Sequence, residues 1–249
     1  MINGTKVIDF HGHVGRWDYV GLVDDSRLMI RAMDDVGIDL ACLFNIFHPD
    51  GVRANDQTAA FVALHPDRFI GFAYVSPMMP TSMVPELERA LDRLGFYAIK
   101  LYSPYTPYEY NHPIWDPVYQ VAQDREIVVI AHTGSNGEPK YLGKAAQRFP
   151  NAKFVAAHAG NEEPFRTQAM DVARSYENFF LETCSTYRTP GVIEELVEKV
   201  GADRVLYGSD MPLMDPRSQI GKIITADISN DDKLMILGKN AKKILNISQ

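Results

Sequence analysis

Short apolar runs alternate with longer amphipathic segments along the whole chain. Each run is rich in Val, Ile, Phe or Tyr, which is typical of a strand that is buried on both faces. The runs are Lys6–Phe10, Leu40–Ile46, Phe69–Val75, Ala98–Tyr102, Ile127–Ala131, Lys153–Ala157, Phe179–Thr183 and Arg204–Tyr207. The pattern therefore predicts eight β-strands.

The segments between these runs have the spacing of helices. Apolar side chains recur at steps of three and four in residues 28–36, 84–94 and 192–200, and a glycine follows each segment. Glycine directly after an amphipathic segment is typical of a helix end. Strands that alternate with helices predict parallel crossover units, and about 250 residues suit one closed eight-stranded (β/α) barrel, the TIM barrel. We predict this α/β fold as a single domain over residues 1–249.

An open doubly wound sheet is the alternative fold. Its usual nucleotide fingerprint, a glycine-rich turn directly after the first strand, is missing from this sequence. Gly12 and Gly15 occur there, but histidines are interleaved with them. The closed barrel is therefore the preferred prediction.

Charge and cysteine content argue against several classes of protein. The 32 acidic residues outnumber the 25 basic ones, so the excess of positive charge expected of a non-specific nucleic-acid binder is absent. Two cysteines are too few for a disulfide framework, which suits a reducing compartment. No apolar run approaches the ~20 residues of a membrane span, and the start of the chain lacks the pattern of a signal peptide. We expect a soluble, cytoplasmic protein.

Polar side chains stand at the carboxyl ends of four predicted strands. Alternation along a strand turns His11 and His13 to the same side, and parallel closure would bring all strand ends to one rim of the barrel. Imidazole nitrogens and carboxylate oxygens are good ligands of zinc and similar divalent ions. A single histidine at a strand end is more often structural. The whole set predicts a metal site: His11, His13, His132, His158 and Asp210.

Other side chains near these strand ends are candidates for binding a substrate. Lys100 and Tyr102 end the fourth strand on one face, and Glu182 ends the seventh strand on the same face as Cys184. We expect Lys100, Tyr102 and Glu182 to line the pocket. Cys184 is interpreted as a small buried side chain, and Cys42 in the second strand as part of the core.

Two residues that directly follow the His-x-His segment are also candidates. The Arg16 guanidinium would form a bidentate pair with a substrate carboxylate, or an exposed salt bridge instead. Trp17 would stack on an apolar or aromatic part of the substrate. Arg188, after the seventh strand, is a second candidate for the role of Arg16.

A proline-rich stretch, Pro104–Pro117, follows the fourth strand and contains three tyrosines, a histidine and a tryptophan. One interpretation is a loop folded over its own small core. The other is a wall of the pocket, since active sites of barrels are built from the loops that follow the strands. The sequence does not choose between the two.

The chain resembles the amidohydrolase superfamily, and within it the amidohydrolase-related group that includes aminocarboxymuconate semialdehyde decarboxylase, resorcylate-type decarboxylases, lactonases and hydrolases. The resemblance covers nearly the whole sequence. It rests on Ile8-Asp9-Phe10-His11-Gly12-His13, Ala98-Ile99-Lys100-Leu101, His132-Thr133-Gly134, His158-Ala159-Gly160, Gly208-Ser209-Asp210-Met211-Pro212 and the closing segment Gly238–Leu245.

This resemblance implies that one divalent metal is held by His11, His13, His132 and Asp210. Zinc is expected, with manganese as the alternative. His158 would be a further ligand or an acid/base group that stabilises an oxyanion or protonates the leaving group, while Asp210 would orient and deprotonate the attacking water.

Lys100 has two interpretations within this superfamily. Some members carry a carbamylated lysine at this position that bridges two metals. We favour an ammonium that pairs with a substrate carboxylate or a neighbouring acid, because the resemblance is to the group that mostly uses one metal.

The main functional prediction is a metal-dependent hydrolase of a small carbonyl substrate, such as a lactone or amide. The alternative is a non-oxidative decarboxylase of a small aromatic or unsaturated acid, which would be favoured if Arg16 or Arg188 lay beside the metal. A phosphoesterase or nuclease is a further alternative that the acidic charge disfavours. A non-catalytic scaffold is disfavoured because all five strand-end groups are present. The resemblance also leaves a homodimer open.

Overall fold

Eight parallel strands form a barrel in the computed structural model, which describes residues 4–16, 21, 23–185, 187 and 189–247. Each strand pairs with the next along the chain. The strands are Ile8–His13 (β1), Leu40–Phe44 (β2), Phe69–Tyr74 (β3), Ala98–Leu101 (β4), Val128–His132 (β5), Lys153–Ala157 (β6), Phe179–Glu182 (β7) and Val205–Leu206 (β8).

The segment after β8 closes the barrel against β1. Gly12 forms a parallel bridge with Met211. The amide of Phe10 donates to the Tyr207 carbonyl at 2.9 Å, and the amide of Asp210 donates to the His11 carbonyl at 2.7 Å. The predicted (β/α)8 TIM barrel is therefore confirmed.

Helices follow the strands and cover the outside of the barrel. They are Ser26–Val36 (α1), Gly51–Val62 (α2), Pro80–Asp92 (α3), Asp116–Asp124 (α4), Pro139–Arg148 (α5), Phe165–Ser175 (α6), Val192–Val200 (α7), Pro216–Ile224 (α8), Asn230–Leu234 (α9) and Asn240–Ile244 (α10). A π-helical turn over Met235–Lys239 joins α9 to α10. Gly37 ends α1 with φ of 75°, a left-handed conformation that glycine adopts without strain. None of the described helices is long and apolar enough to cross a bilayer.

The first strand differs most from its predicted bounds, and the last strand is one residue shorter than predicted at each end. β1 continues to His13, beyond the predicted end at Phe10, because the polar residues that interrupt the apolar run still belong to the strand. β8 ends at Leu206, before the predicted Tyr207, and the chain there turns toward β1. These differences place His11 and His13 within a strand rather than in a turn.

Apolar side chains fill the inside of the barrel below its carboxyl rim. Phe10 and Phe72 pack edge to face with ring centroids 5.3 Å apart, and the Phe44 and Phe72 rings stack at 6.2 Å. Cys42 lies in this interior cluster, fully buried. A packed interior means that a ligand has access only from the rim.

The proline-rich segment after β4 has a small core of its own and also contacts residues at the rim. Tyr110 and Trp115 are fully buried, so the segment has a core of its own. The Tyr110 hydroxyl also donates to the His132 carbonyl at 2.7 Å, which braces the end of β5. Tyr105 is 45% exposed and its ring lies 4.7 Å from that of Tyr102.

Candidate metal centre and active site

A cavity of about 230 Å³ opens at the carboxyl ends of the strands. It has a polar floor of histidines and one aspartate and a largely apolar mouth. Its lining residues are His11, His13, Ile46, Lys100, Tyr102, His132, His158, Asn161, Ser185, Asp210, Leu213 and Met214. All five strand-end groups that the sequence singles out therefore reach one cavity.

His11, His13 and Asp210 form the tightest group of possible metal ligands. Asp210 Oδ1 lies 2.8 Å from His13 Nε2 and 3.5 Å from His11 Nε2. One nitrogen or oxygen from each of the three residues lies within 4.8 Å of the others. Two imidazoles and a carboxylate are a donor set that suits zinc or manganese.

His132 and His158 form a pair on the other side of the cavity. His158 Nε2 lies 3.1 Å from His132 Nδ1, and His158 Nδ1 donates to the Cys184 carbonyl at 2.8 Å. Donor atoms lie within 4.8 Å of one another in two groups of possible ligands: His11, His13 and Asp210, and His11, His158, Glu182 and Cys184. Among the described residues, His132 belongs to neither group. The structure thus brings His132 to the cavity next to His158 rather than into direct contact with Asp210.

The backbone of this rim is strained at three lining residues. His158, Asn161 and Asp210 have φ of 66°, 63° and 64°. A left-handed φ is uncommon outside glycine and concentrates at functional sites, where the surrounding structure holds the residue in place. Strain at two of the predicted site residues therefore marks the rim as the functional part of the barrel.

The protonation states of the cluster favour a cation. Burial lowers the pKa of His11, His13 and His132, and the nearby Lys100 lowers the pKa of His11 further. Burial alone would raise the pKa of Asp210, but the hydrogen bond from His13 and the neighbouring histidines hold it below its usual range. Neutral imidazoles with an ionised carboxylate are the forms that bind a metal ion.

The hydrogen bonds of the His11 and His13 rings are also consistent with a bound cation. His13 Nδ1 is buried and has no hydrogen-bond partner among the described residues, while its Nε2 faces Asp210. With the ring hydrogen on the unpartnered Nδ1, the lone pair of Nε2 would face Asp210, and the two residues could bind one cation. On the other ring, His11 Nδ1 donates to Glu182, as metal-binding histidines usually do to a carboxylate. The residues present therefore fit a divalent metal.

Lys100 is the single lysine or arginine among the described residues that lines the cavity. Its Nζ lies 3.2 Å from His11 Nε2 and 4.3 Å from the centre of the Phe44 ring. Burial lowers the pKa of this lysine to about 8, against the opposing effect of Asp210. The side chain is therefore still mostly a cation at pH 7.

Glu182 does not line the pocket, contrary to the expectation from the sequence. Its carboxylate is fully buried beneath the cavity, against the ring of His11 and the backbone of His158. Cys184 is buried at the same level, with Sγ 3.0 Å from Glu182 Oε2. Alternation along β7 predicts the side to which Glu182 points but not the two histidines that cover it.

Arg16 also differs from its expected position. It is exposed and lines a separate groove with Asp24, Asn45 and His48, rather than the metal cavity. The structure therefore does not bring this guanidinium to the cavity, because β1 ends at His13 and the chain leaves the rim. Trp17 and Arg188 lie outside the described residues. Tyr102 lines the cavity as expected, with its ring 5.1 Å from that of His132.

Several residues that line the cavity were not predicted from the sequence. Asn161 and Ser185 lie just past β6 and β7, and the Ser185 hydroxyl donates to Asn161 Oδ1. Their position directly after strand ends was a usable signal, since loops at that end build the site. Leu213 and Met214 carried no such signal, because apolar loop residues are common.

Below the metal-binding rim, Asp9 links β1 to the turn that carries Asp210. Its Oδ1 accepts from the Ser209 amide at 2.8 Å and from the His11 amide at 3.2 Å. Its Oδ2 accepts from the Ser209 hydroxyl. Burial raises the pKa of Asp9 to about 7 despite these hydrogen bonds. The network fixes the His11 and Asp210 backbones relative to one another.

Two characterised decarboxylases are similar to this chain in sequence. Gamma-resorcylate decarboxylase of Polaromonas sp. (strain JS666) is 25% identical, over 92% of this chain and 89% of that protein. The 2-amino-3-carboxymuconate-6-semialdehyde decarboxylase of Dictyostelium discoideum is 23% identical, over 78% of this chain and 65% of that protein.

Solved structures share the fold over almost the whole chain. A 2,6-dihydroxybenzoate decarboxylase in complex with 2,6-dihydroxybenzoate superposes with a TM-score of 0.82 at 19% identity, covering 98% of this chain and 99% of that one. The dihydroxybenzoic acid decarboxylase of Polaromonas sp. JS666, with bound manganese and the inhibitor 2-nitroresorcinol, gives 0.78 at 19% identity and 98% coverage of both chains.

The amidohydrolase family model matches residues 8–247, which include every strand and all five strand-end groups. Together with the relatives above, this match shows that the chain is an enzyme of the amidohydrolase superfamily, in the aminocarboxymuconate semialdehyde decarboxylase-like group.

Proposed function

We propose that the protein is a metal-dependent, non-oxidative decarboxylase of a small aromatic or unsaturated carboxylic acid. The relatives support this alternative better than the hydrolase that the sequence favours, since those reported above are named decarboxylases of such acids. The observation that carries the proposal is Lys100, a buried cation in a small cavity beside the candidate metal ligands.

Lys100 suits a carboxylate substrate better than a neutral lactone or amide. An ammonium removed from water is stabilised only if an anion or hydrogen-bond acceptors replace its hydration. The contacts of Lys100 Nζ are the Phe44 ring and one nitrogen of His11, which is also a candidate metal ligand. Asp210 and Glu182 interact with this ammonium electrostatically, but among the described residues neither accepts a hydrogen bond from it, so a substrate carboxylate would supply a charge-assisted hydrogen bond.

The metal would be held by His11, His13 and Asp210, whose donor atoms lie within 4.8 Å of one another. His132, which lines the same cavity beside His158, would be the fourth ligand that the family resemblance implies. A divalent ion at this site would act as a Lewis acid that binds and polarises a substrate oxygen. We favour manganese over the zinc that the sequence resemblance implies, because a related decarboxylase of this fold carries manganese. Asp210 would then act as a ligand rather than as the base of a hydrolase.

His158 is the residue that we assign to proton transfer. Its Nδ1–H is fixed on the Cys184 carbonyl, so the proton to be transferred would be carried on Nε2, the nitrogen on the His132 side of the ring. When the bond between the carboxylate and the ring carbon breaks, CO₂ leaves and the electron pair stays on that carbon. The proton from His158 Nε2 forms the new C–H bond, and solvent returns a proton to His158.

A substrate screen tests the proposal. The manganese-loaded and zinc-loaded proteins would be incubated with hydroxybenzoates, unsaturated carboxylic acids, lactones and amides, while CO₂ release and ring opening are both recorded. We expect CO₂ from at least one acid and no hydrolysis of the neutral compounds. Hydrolysis of a lactone or amide, with no CO₂ from any acid, would restore the hydrolase.

A further inference from the structure

Glu182 contacts both halves of the candidate site from below. Its Oε2 accepts from His11 Nδ1 at 2.9 Å, from the His158 amide at 3.2 Å and from Cys184 Sγ at 3.0 Å, and its Oε1 accepts from the Cys184 amide. His11 comes from β1 and His158 follows β6, so one carboxylate on β7 joins groups from different strands. The side chain is fully buried and does not reach the cavity.

The turn after β8 leaves room for this carboxylate. A Cβ atom added to Gly208 would overlap Glu182 Oε1 and would lie 2.9 Å from the Cβ atom of His11. A larger residue at position 208 would therefore displace the Glu182 carboxylate or His11 from its present place. The pocket for the Glu182 carboxylate is built by two elements, β7 and the turn after β8.

These contacts fix the tautomer of His11. An ionised Glu182 can only accept, and the Lys100 ammonium next to Nε2 can only donate, so the hydrogen of the neutral ring is assigned to Nδ1 and the lone pair to Nε2, which lies 3.5 Å from Asp210 Oδ1. A carboxylate behind a metal-binding imidazole orients the ring and increases its basicity. The same carboxylate holds the His158 amide at the start of its left-handed turn.

We propose that Glu182 is a positioning residue that sets the metal affinity of the site by orienting His11 and the His158 turn. The inference rests on the metal-binding part of the proposed function and not on the reaction. It assigns Glu182 a role different from the substrate contact that the sequence predicts. Its test is therefore metal binding, which does not need a known substrate.

A second, buried metal ion is the competing explanation of the same cluster. Donor atoms of His11, His158, Glu182 and Cys184 all lie within 4.8 Å of one another. The acceptors argue against such an ion, because the Cys184 carbonyl and an ionised Glu182 can only accept hydrogen bonds, from Nδ1 of His158 and Nδ1 of His11 respectively. Both nitrogens are thus engaged as donors. The metal stoichiometry separates the two explanations.

The main experiment compares Glu182→Gln with Glu86→Gln. Glu86 is another buried carboxylate, on α3, and does not line the cavity, so it controls for the loss of a buried charge. Manganese affinity and stoichiometry are measured by electron paramagnetic resonance titration, and stability by thermal unfolding. We expect Glu182→Gln to weaken manganese binding by about 10- to 100-fold, with Glu86→Gln within about 2-fold of wild type. Equal affinity of Glu182→Gln and wild type for manganese would overturn the proposal.

Two further variants protect the test from a folding failure. Gly208→Ala leaves Glu182 in place but crowds its carboxylate, so we expect weaker manganese binding in this variant as well. Cys184→Ser keeps a donor to Glu182, and we expect it to bind one manganese per chain as wild type does. Two metal equivalents in wild type, with one lost in Cys184→Ser, would show a buried metal site instead and contradict the positioning role.

Discussion

Two buried carboxylates, Glu86 and Glu182, are satisfied in different ways. Glu86, on α3, accepts from Arg89 Nε at 2.7 Å and from Asn55 Nδ2 at 2.7 Å. Asn55 in turn exchanges two hydrogen bonds with the backbone of Tyr74, at 2.8 and 3.0 Å. A guanidinium thus compensates the Glu86 charge, and the network joins α2, α3 and β3.

Glu182 has no guanidinium or ammonium within its hydrogen-bonding shell in the part of the chain that the structure describes. Its partners are an imidazole, a thiol and two amides, and Asp210 adds a second carboxylate close by. Burial of uncompensated negative charge is costly unless a cation joins it. The comparison teaches that the Glu86 network is complete as it stands, whereas the described part of the rim sets two carboxylates against one ammonium, that of Lys100, and is arranged to accept a further cation.

Asp210→Asn is the change with the largest expected effect on the rim. The amide keeps the shape of the carboxylate but removes the charge that His11 and His13 share. We expect decarboxylation to fall at least ~1,000-fold, because several kcal/mol of charge stabilisation by the metal are lost. The measurement is kcat/KM with the acid identified by the screen, together with manganese content.

The same variant distinguishes a functional cluster from a structural one. We expect the metal-free Asp210→Asn protein to stay folded and to unfold at a slightly lower temperature than metal-free wild type, because the lowered pKa of Asp210 means that its ionised form contributes to stability at neutral pH. A large loss of thermal stability with metal binding intact would reverse the assignment, and so would retained turnover.

Lys100→Met is expected to have the next largest effect. The variant keeps most of the apolar stem and loses the ammonium, so a charge-assisted hydrogen bond to the substrate carboxylate is missing. We expect kcat/KM to fall by about 10- to 100-fold, from the ~1.5–3 kcal/mol of such a bond. Steady-state kinetics with the acid substrate provide the measurement.

Metal content decides between the two interpretations of Lys100. An ammonium next to His11 repels a divalent ion, so manganese affinity should not fall when Lys100 becomes Met. Loss of metal from Lys100→Met would instead support a carbamylated, metal-bridging lysine. A larger rise of KM in Arg16→Gln than in Lys100→Met would return the carboxylate to Arg16, despite its position in the neighbouring groove.

The sequence predicts the barrel and the convergence of the rim groups for clear physical reasons. Strands buried on both faces produce continuous apolar runs, and seven of the eight predicted strands lie within two residues of the observed bounds at each end. Parallel closure then brings every strand end to one rim, so His132 and His158 join His11 in one cavity although they are far apart in sequence.

The depth of Glu182 in the barrel, the position of Arg16 and the reaction could not be predicted from the sequence in the same way. Alternation gives the side to which Glu182 points, but its place below His11 depends on the missing Cβ atom of Gly208. Arg16 follows the end of β1, where no periodicity applies. The reaction itself is not encoded in the ligand pattern, because the same imidazoles and carboxylate hold a metal that serves hydrolysis or decarboxylation.

Arg89→Met is the change with the smallest expected effect on the site and completes the comparison. It leaves the Glu86 carboxylate buried beside Asn55 without its guanidinium, and Arg89 is itself 28% exposed. We expect the free energy of unfolding to fall by about 2 kcal/mol, below the ~3–5 kcal/mol of a fully buried pair, with manganese affinity and kcat/KM within about 2-fold of wild type. Denaturant unfolding and manganese titration measure the two quantities. If Arg89→Met weakened metal binding as strongly as it weakened folding, the two carboxylate networks would be coupled through β3, and the separation between a structural and a functional carboxylate would not hold.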